Sequence, residues 1–247
     1  MENALLVGLS RQVALSRELE VIANNMANVG TNGFKARSAR FNEFVMPKAK
    51  AEAFKPADRA LSYVIDKGTP LDLSQGTIEF TGNPLDVALK DDNFLVVQTP
   101  AGERYTRAGS LTVNRQGQLV TQLGQPVMGQ GGPINFGPSE YDLRIAADGT
   151  VTSDQGTRGR LRQVRFADPT TLVSEGNNLV SSTAAPQPPL PGSKFETGAL
   201  ERSNVKAVSE LTRLMEVQRA YQDVASMITR NDDLRSKAIS RLADQQA

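Results

Sequence analysis

From Asn204 to about Leu242, apolar residues recur at helical spacing over some forty residues. Val208, Leu211, Leu214, Met215, Tyr221, Ala225, Ile228, Ile239 and Leu242 mark a stripe interrupted by Gln218 and Asp232. Charges of both signs cover the remaining faces. A continuous helix of this span is ~55–60 Å long at 1.5 Å per residue, well beyond the usual three or four turns. Ser203 or Asn204 is the expected N-cap, since their side-chain oxygens can accept a first-turn N–H.

The other end of the chain repeats the pattern. Leu5, Leu6, Leu9, Val13, Leu19, Ile22 and Met26 step by threes and fours over about 3–28, and from Leu15 the spacing becomes heptad-like through Leu19, Ile22, Met26 and Val29. Gly30 and Gly33 then supply a turn. Near this end three asparagines, at 24, 25 and 28, sit where a helix gains little from them, because the amide competes for backbone hydrogen bonds.

Between the helices the signal is β. From about 76 to 183, short Val-, Leu-, Phe- and Thr-rich runs alternate with turn residues every eight to twelve positions. The run "FLVVQT" at 94–99 is a buried-strand candidate, Gln116-Gly117 turns one alternating run into the next, and Asp148-Gly149 is the favoured pair for a tight primed hairpin turn. The charged–apolar alternation of "RLRQVRF" at 160–166 gives that strand one wet face. Residues 36–75 lack any sustained period and read as an extended connector with one short strand around Ser62–Asp66. The stretch "AAPQPPLPGSKFETG" reads as a polyproline-type linker, and its PxxP matches are better taken as spacer than as peptide ligand.

The expected fold class is therefore α+β: long N- and C-terminal helices forming a coiled-coil-like helical domain, with a central, mainly antiparallel β domain. The expected segments are 1–35 (helix), 36–75 (connector), 76–183 (β domain), 184–203 (Pro-rich linker) and 204–247 (helix). Both helices are too long and too narrowly striped for a β domain of this size to cover. Their economical partners are each other and further copies of the chain, and head-to-tail contacts of that kind propagate into a filament or tube.

Composition narrows the chemistry. The 247 residues include no Cys and no His, which removes thiolate catalysis, Cys or His metal sites and the commonest neutral-pH general base. A formal charge of +1 argues against a basic nucleic-acid binder or an electrostatic membrane binder. No run approaches the ~20 apolar residues of a membrane helix, and "MENALLVGLSRQ" lacks the basic start and longer apolar core of a Sec-type signal. From Glu201 onward, eight basic and seven acidic residues nearly cancel, which avoids like-charge repulsion when copies pack side by side.

Candidate chemical motifs fail on inspection. The glycine-rich "GQPVMGQGGPI" at 124–134 is followed by no helix, and "GSK" at 192–194 is no phosphate loop. Asp91-Asp92 would point to opposite faces of a strand and reads as a loop tip. Arg104 and Arg107 read as rim contacts of an assembly, Tyr105 and Tyr221 as packing residues.

Three stretches together resemble the axial proteins of the bacterial flagellum, the rod and hook family. "IANNMANVGTNGFKA" (22–36) is similar to its ANNxANxxTxGFK signature; "FTGNPLDVALKDDNFLVVQTPAGERYTRAGSLTVNRQGQLVTQLGQPVMGQGGPI" (80–134) resembles its core segment; "GALERSNVKAVSELTRLMEVQRAYQDVASMI" (198–228) is similar to its C-terminal signature. Order and spacing match across the chain. "MENALLVGLSRQVAL", "PLDVALKDDNFLVVQ" and "IAADGTV" are closer to a proximal-rod member than to the distal rod protein. At Asp92-Asn93 the chain departs from the glycine usual in the distal rod and hook members.

The resemblance implies a structural, non-enzymatic subunit of the flagellar basal body without a cofactor. It would be exported unfolded through the flagellar type III apparatus and assembled in the periplasm with copies of itself and other rod proteins of the FlgB, FlgC and FlgG type. Its terminal helices would form an inner layer, ordered by assembly, with the β domain outside. The helix residues expected to meet neighbours are Leu15, Leu19 and Ile22. The amides Asn24, Asn25 and Asn28 would supply paired donors and acceptors at the seam, and Gly33 and Phe34 would redirect the chain. On the C-terminal side the expected contacts are Asn204, Val205, Leu211, Gln218, Arg219 and Tyr221.

Overall fold

A computed structural model describes residues 2–46, 61–66 and 69–244 of the chain. Helix α1 spans Glu2–Ala27 and helix α2 spans Ala207–Asp244. The chain divides into two compact units, one of residues 1–26, 37–69 and 207–247 and the other of residues 27–36 and 70–206.

In the first unit α1 and α2 run antiparallel. Gln12 Nε2 donates to the Tyr221 hydroxyl at 3.1 Å, Arg213 Nη2 to Glu18 Oε1 at 2.7 Å, and Asn25 Nδ2 to Glu210 Oε2 at 3.5 Å. Partner numbers fall along α2 as they rise along α1. The larger apolar residues of α2 that are buried or half-buried among those described include Leu214, Val217, Tyr221, Val224 and Ile228, spaced three and four apart as a helix–helix seam requires. Val217 and Val224 thus belong to the seam, whereas Leu211 and Met215 lie outside it. Burying each valine contributes about 1.5–3 kcal/mol. Gly8 faces Ile228 across the seam, where a Cβ would stand 3.4 Å from Ile228 Cγ1, at ordinary van der Waals distance.

The same unit holds a feature that the aperiodic 36–75 stretch conceals. Phe41–Met46 and Leu61–Asp66 pair antiparallel, with Phe41 opposite Asp66 and Met46 opposite Leu61. The expected strand at 62–66 is present, and it has a partner twenty residues earlier that no local pattern announces.

The central unit is built on a five-stranded antiparallel sheet, in the order Gln163–Arg165, Asn93–Thr99, Gly102–Thr106, Leu179–Ser182, Leu172–Gly176. Period-two geometry explains why "FLVVQT" shows no alternation. Leu95 and Val97 enter one core with Val87, Leu111, Leu119 and Phe195, while Phe94 and Val96 enter a second with Tyr105, Val164 and Phe166. Both faces of this strand are covered, so both carry apolar residues. Tyr105 meets Phe166 edge-on at 4.8 Å, a packing role as expected.

Turn chemistry differs from expectation at one hairpin. Between Arg144–Ile145 and Thr150–Ser153, only Gly149 of the Asp148-Gly149 pair takes positive φ (86°). Gly149 N donates to Ala146 O, so the turn ends in a left-handed glycine rather than a primed pair. The primed geometry occurs at Asn177-Asn178, where both residues have positive φ (51° and 58°), joining Leu172–Gly176 to Leu179–Ser182.

The 184–203 stretch is integrated into the central unit rather than being a spacer. Arg165 and Gln187 exchange backbone hydrogen bonds of 3.0 and 2.9 Å, Phe195–Thr197 pairs with Val87–Leu89, and Ala199–Glu201 pairs with Ile78–Phe80. Likewise residues 27–36, expected as the tail of the N-terminal helix segment, leave the helix and join the central unit. Helix α2 begins at Ala207, so neither Ser203 nor Asn204 caps it.

Candidate assembly site and a buried charge node

In the central unit, the end of the first signature meets the start of the last. Gly33 N donates to Glu201 O at 2.7 Å, Asn204 N to Phe34 O at 3.4 Å, and Ala36 N to Asn204 Oδ1 at 2.7 Å. Asn204 Nδ2 donates to the backbone oxygens of Asp72 and Ser74 at 2.8 and 3.1 Å. Gly33 is required here on two counts. Its φ is +70°, and a Cβ would fall 2.3 Å from Arg107 O.

Beneath this junction lies a buried charge node. Glu201 Oε1 accepts from Lys35 Nζ at 2.7 Å and from Gly76 N at 2.9 Å; Glu201 Oε2 accepts from Arg107 Nε at 2.8 Å. Lys35 also donates to Ser74 O at 2.6 Å, and Arg107 Nη1 to Asp91 O and Asn93 O at 2.7 and 2.8 Å. One carboxylate therefore serves two cations, and the surplus positive charge is spread over main-chain oxygens. Burial, and next the Arg107 charge, hold the Lys35 ammonium below its ordinary pKa, opposed by Glu201. Arg107, expected at the rim of an assembly, is instead 2 % exposed and committed to this node. Arg104 pairs with Glu175 at 2.5 Å near the surface. Lys35 and Glu201 were missed because a buried charge has no periodic signature.

The asparagines also have partners within the chain. Asn25 is 1 % exposed; its Nδ2 donates to Arg37 O at 2.8 Å and its Oδ1 accepts from Arg37 N at 2.9 Å. Its amide thus stands in for a backbone pair within the chain. Asn24 Oδ1 accepts from Arg37 Nη2, and Asn28 Oδ1 accepts from the Thr31 hydroxyl at 3.1 Å. Phe34 and Val205 are buried within the central unit, and Gly33 and Asn204 are consumed by the junction described above.

The remaining expected contacts lie on the helices. Leu15, Leu19 and Tyr221 are half-buried and Ile22 is buried, whereas Leu211, Gln218 and Arg219 are exposed. Exposed apolar residues cluster with helical spacing on both helices: Leu6, Leu9 and Val13 on α1, and Val208, Leu211 and Met215 on α2. Val208 is 78 % exposed and Val13 63 %. These two faces are apolar, repeat by threes and fours, and lie outside the α1–α2 seam.

Comparison with known proteins follows the same three segments. Residues 5–35 match the family model described as flagella basal body rod protein, 88–153 the flagellar hook protein FlgE/F/G D1 domain, and 196–241 the flagellar basal body rod FlgEFG protein C-terminal. Over 247 aligned residues the chain is 40% identical to the flagellar basal-body rod protein FlgF of Caulobacter vibrioides, covering 98% of each chain. The chain belongs to the flagellar basal-body rod protein family. FlgF of Salmonella typhimurium is 31% identical, covering 96% of this chain and 97% of its own. The rod protein FlgG of Buchnera aphidicola subsp. Baizongia pistaciae is 34% identical but covers less, 89% and 92%. The Asn25–Arg37 pair and the Lys35–Glu201 node thus fall inside or beside the family's terminal segments.

Proposed function

We propose that this rod-family chain is a structural subunit of the proximal rod of the flagellar basal body, without enzymatic activity or cofactor. In this role it assembles with its own copies and with other rod proteins into the shaft that transmits torque to the hook. The observation that carries the reading is the pair of exposed apolar faces, Leu6-Leu9-Val13 and Val208-Leu211-Met215, on helices already paired with each other. Contiguous apolar surface of this kind marks an interaction site. The three-and-four spacing suits coiled-coil-like packing against neighbouring helices. Near-equal numbers of acidic and basic residues on α2 support close packing of many copies. Export through the flagellar type III apparatus and a periplasmic location follow from the rod role.

Deleting the gene and imaging basal bodies tests this proposal. A rod truncated close to the membrane, with motility lost, is the expected result. Growth stopping further out would assign the chain to the distal rod, and normal rods would overturn the reading.

A further inference from the structure

The chain contains a single Asn-Gly step, Asn32-Gly33, placed at the junction of its terminal signatures. An asparagine followed by glycine is the most labile setting for its side-chain amide, because glycine leaves the following nitrogen sterically open; asparagine is a thermolabile residue in general. The Gly33 nitrogen, after losing its proton to water, attacks Asn32 Cγ. The new C–N bond closes a succinimide ring, the bond to the side-chain nitrogen breaks, and ammonia leaves with a proton. Water then opens either ring carbonyl, leaving aspartate or isoaspartate.

That attack requires the Asn32–Gly33 peptide plane to rotate until its nitrogen faces Cγ. In the folded chain the plane is held at both ends. Asn178 Nδ2 donates to Asn32 O at 2.7 Å, and Gly33 N donates to Glu201 O at 2.7 Å. Arg202 Nη1 separately holds Asn32 Oδ1 at 3.1 Å. The clamp is non-local, since its jaws come from the primed Asn177-Asn178 turn and from Glu201.

The geometry points to Asn32 as a folding-gated modification site, in which the closed junction suppresses succinimide formation and the unfolded chain undergoes it. Isoaspartate at 32 adds a main-chain carbon where Gly33 N must reach Glu201 O, and the 2.3 Å approach that a Cβ would make to Arg107 O shows that no slack exists there. A chain that ages before folding loses its ability to close the junction. This inference does not depend on the rod proposal.

The test incubates full-length protein at mildly alkaline pH, folded and in urea, and follows the tryptic peptide of residues 18–35 by mass spectrometry with isoaspartyl methyltransferase labelling. That peptide also carries Asn24, Asn25 and Asn28, none of them before glycine, as internal references. In urea, conversion is expected at Asn32 ahead of the other three, and folding is expected to slow it about tenfold or more, in proportion to how rarely the junction opens. Asn178→Asp keeps the side-chain shape and tolerates the positive φ but removes the donor, and is expected to speed conversion several-fold in folded protein. Equal rates in folded and unfolded chains, or no preference for Asn32 in urea, would overturn the inference. An unaltered rate in a folded Asn178→Asp protein would remove Asn178 from the clamp. If that variant does not fold, the folded-versus-urea comparison on the native chain decides alone.

Discussion

Lys35 and Glu201, separated by 166 positions, form a 2.7 Å ion pair whose side chains are 5% and 0% exposed. Arg107 shares the same carboxylate at 2.8 Å. Removing one member of such a set leaves uncompensated buried charge, which costs far more than the set contributes relative to an apolar replacement. Glu201→Ala strands two cations and is expected to lower stability by about 3–5 kcal/mol. Urea unfolding followed by circular dichroism measures this, and a loss no larger than that of an ordinary surface substitution would contradict the node's role.

Lys35 also sets a pH dependence. Burial, and then Arg107, place its folded pKa below the ordinary lysine value of 10.5. Between those two values the unfolded chain binds more protons than the folded one, so stability rises with pH in this window. Neutral Lys35 leaves one carboxylate facing one guanidinium. Native protein is therefore expected to gain stability relative to Lys35→Met as pH rises toward 10.5. Parallel unfolding curves for the two proteins from neutral pH upward check the sign, and a constant difference would refute it.

Asn25 behaves as a local backbone substitute, with both amide groups spent on Arg37. Asn25→Leu orphans the Arg37 N–H and C=O, at about 1–3 kcal/mol for each group left buried and unpaired. Thermal melting of the isolated monomer is expected to drop. An unchanged melt with assembly lost would instead place Asn25 at a subunit seam.

The exposed face of α2 makes the opposite prediction. Val208 and Leu211 contact solvent in the single chain, so Val208→Glu and Leu211→Glu are expected to change its stability within about 0.5 kcal/mol. In cells the same changes are expected to abolish motility and rod growth, because a charge would enter the proposed apolar contact between subunits. Full motility in the double variant would remove this face from the interface.

Much of the architecture is legible in the residues themselves. The three-and-four stepping of Leu15, Leu19 and Ile22 marks α1, the long stripe after Asn204 marks α2, and the short runs between them mark antiparallel strands, because these periods report which side of an element meets water. The family signatures are likewise visible as strings of letters. Less accessible was which part of a stripe the chain covers for itself. Val217 and Val224 fill the seam and Leu211 does not, a matter of how one helix is rotated against the other.

The sequence by itself determined the two long helices, the β character of the region between them and the family, since local periodicity, turn residues and motif spacing act over a few positions. Only the tertiary structure decided the pairing of Phe41–Met46 with Leu61–Asp66, the inward turn of Asn25, and the convergence of Lys35 and Arg107 on Glu201. Those contacts join residues twelve to 166 positions apart. Their energy comes from burial and from satisfying polar groups that water no longer reaches, quantities that do not exist until the chain has closed.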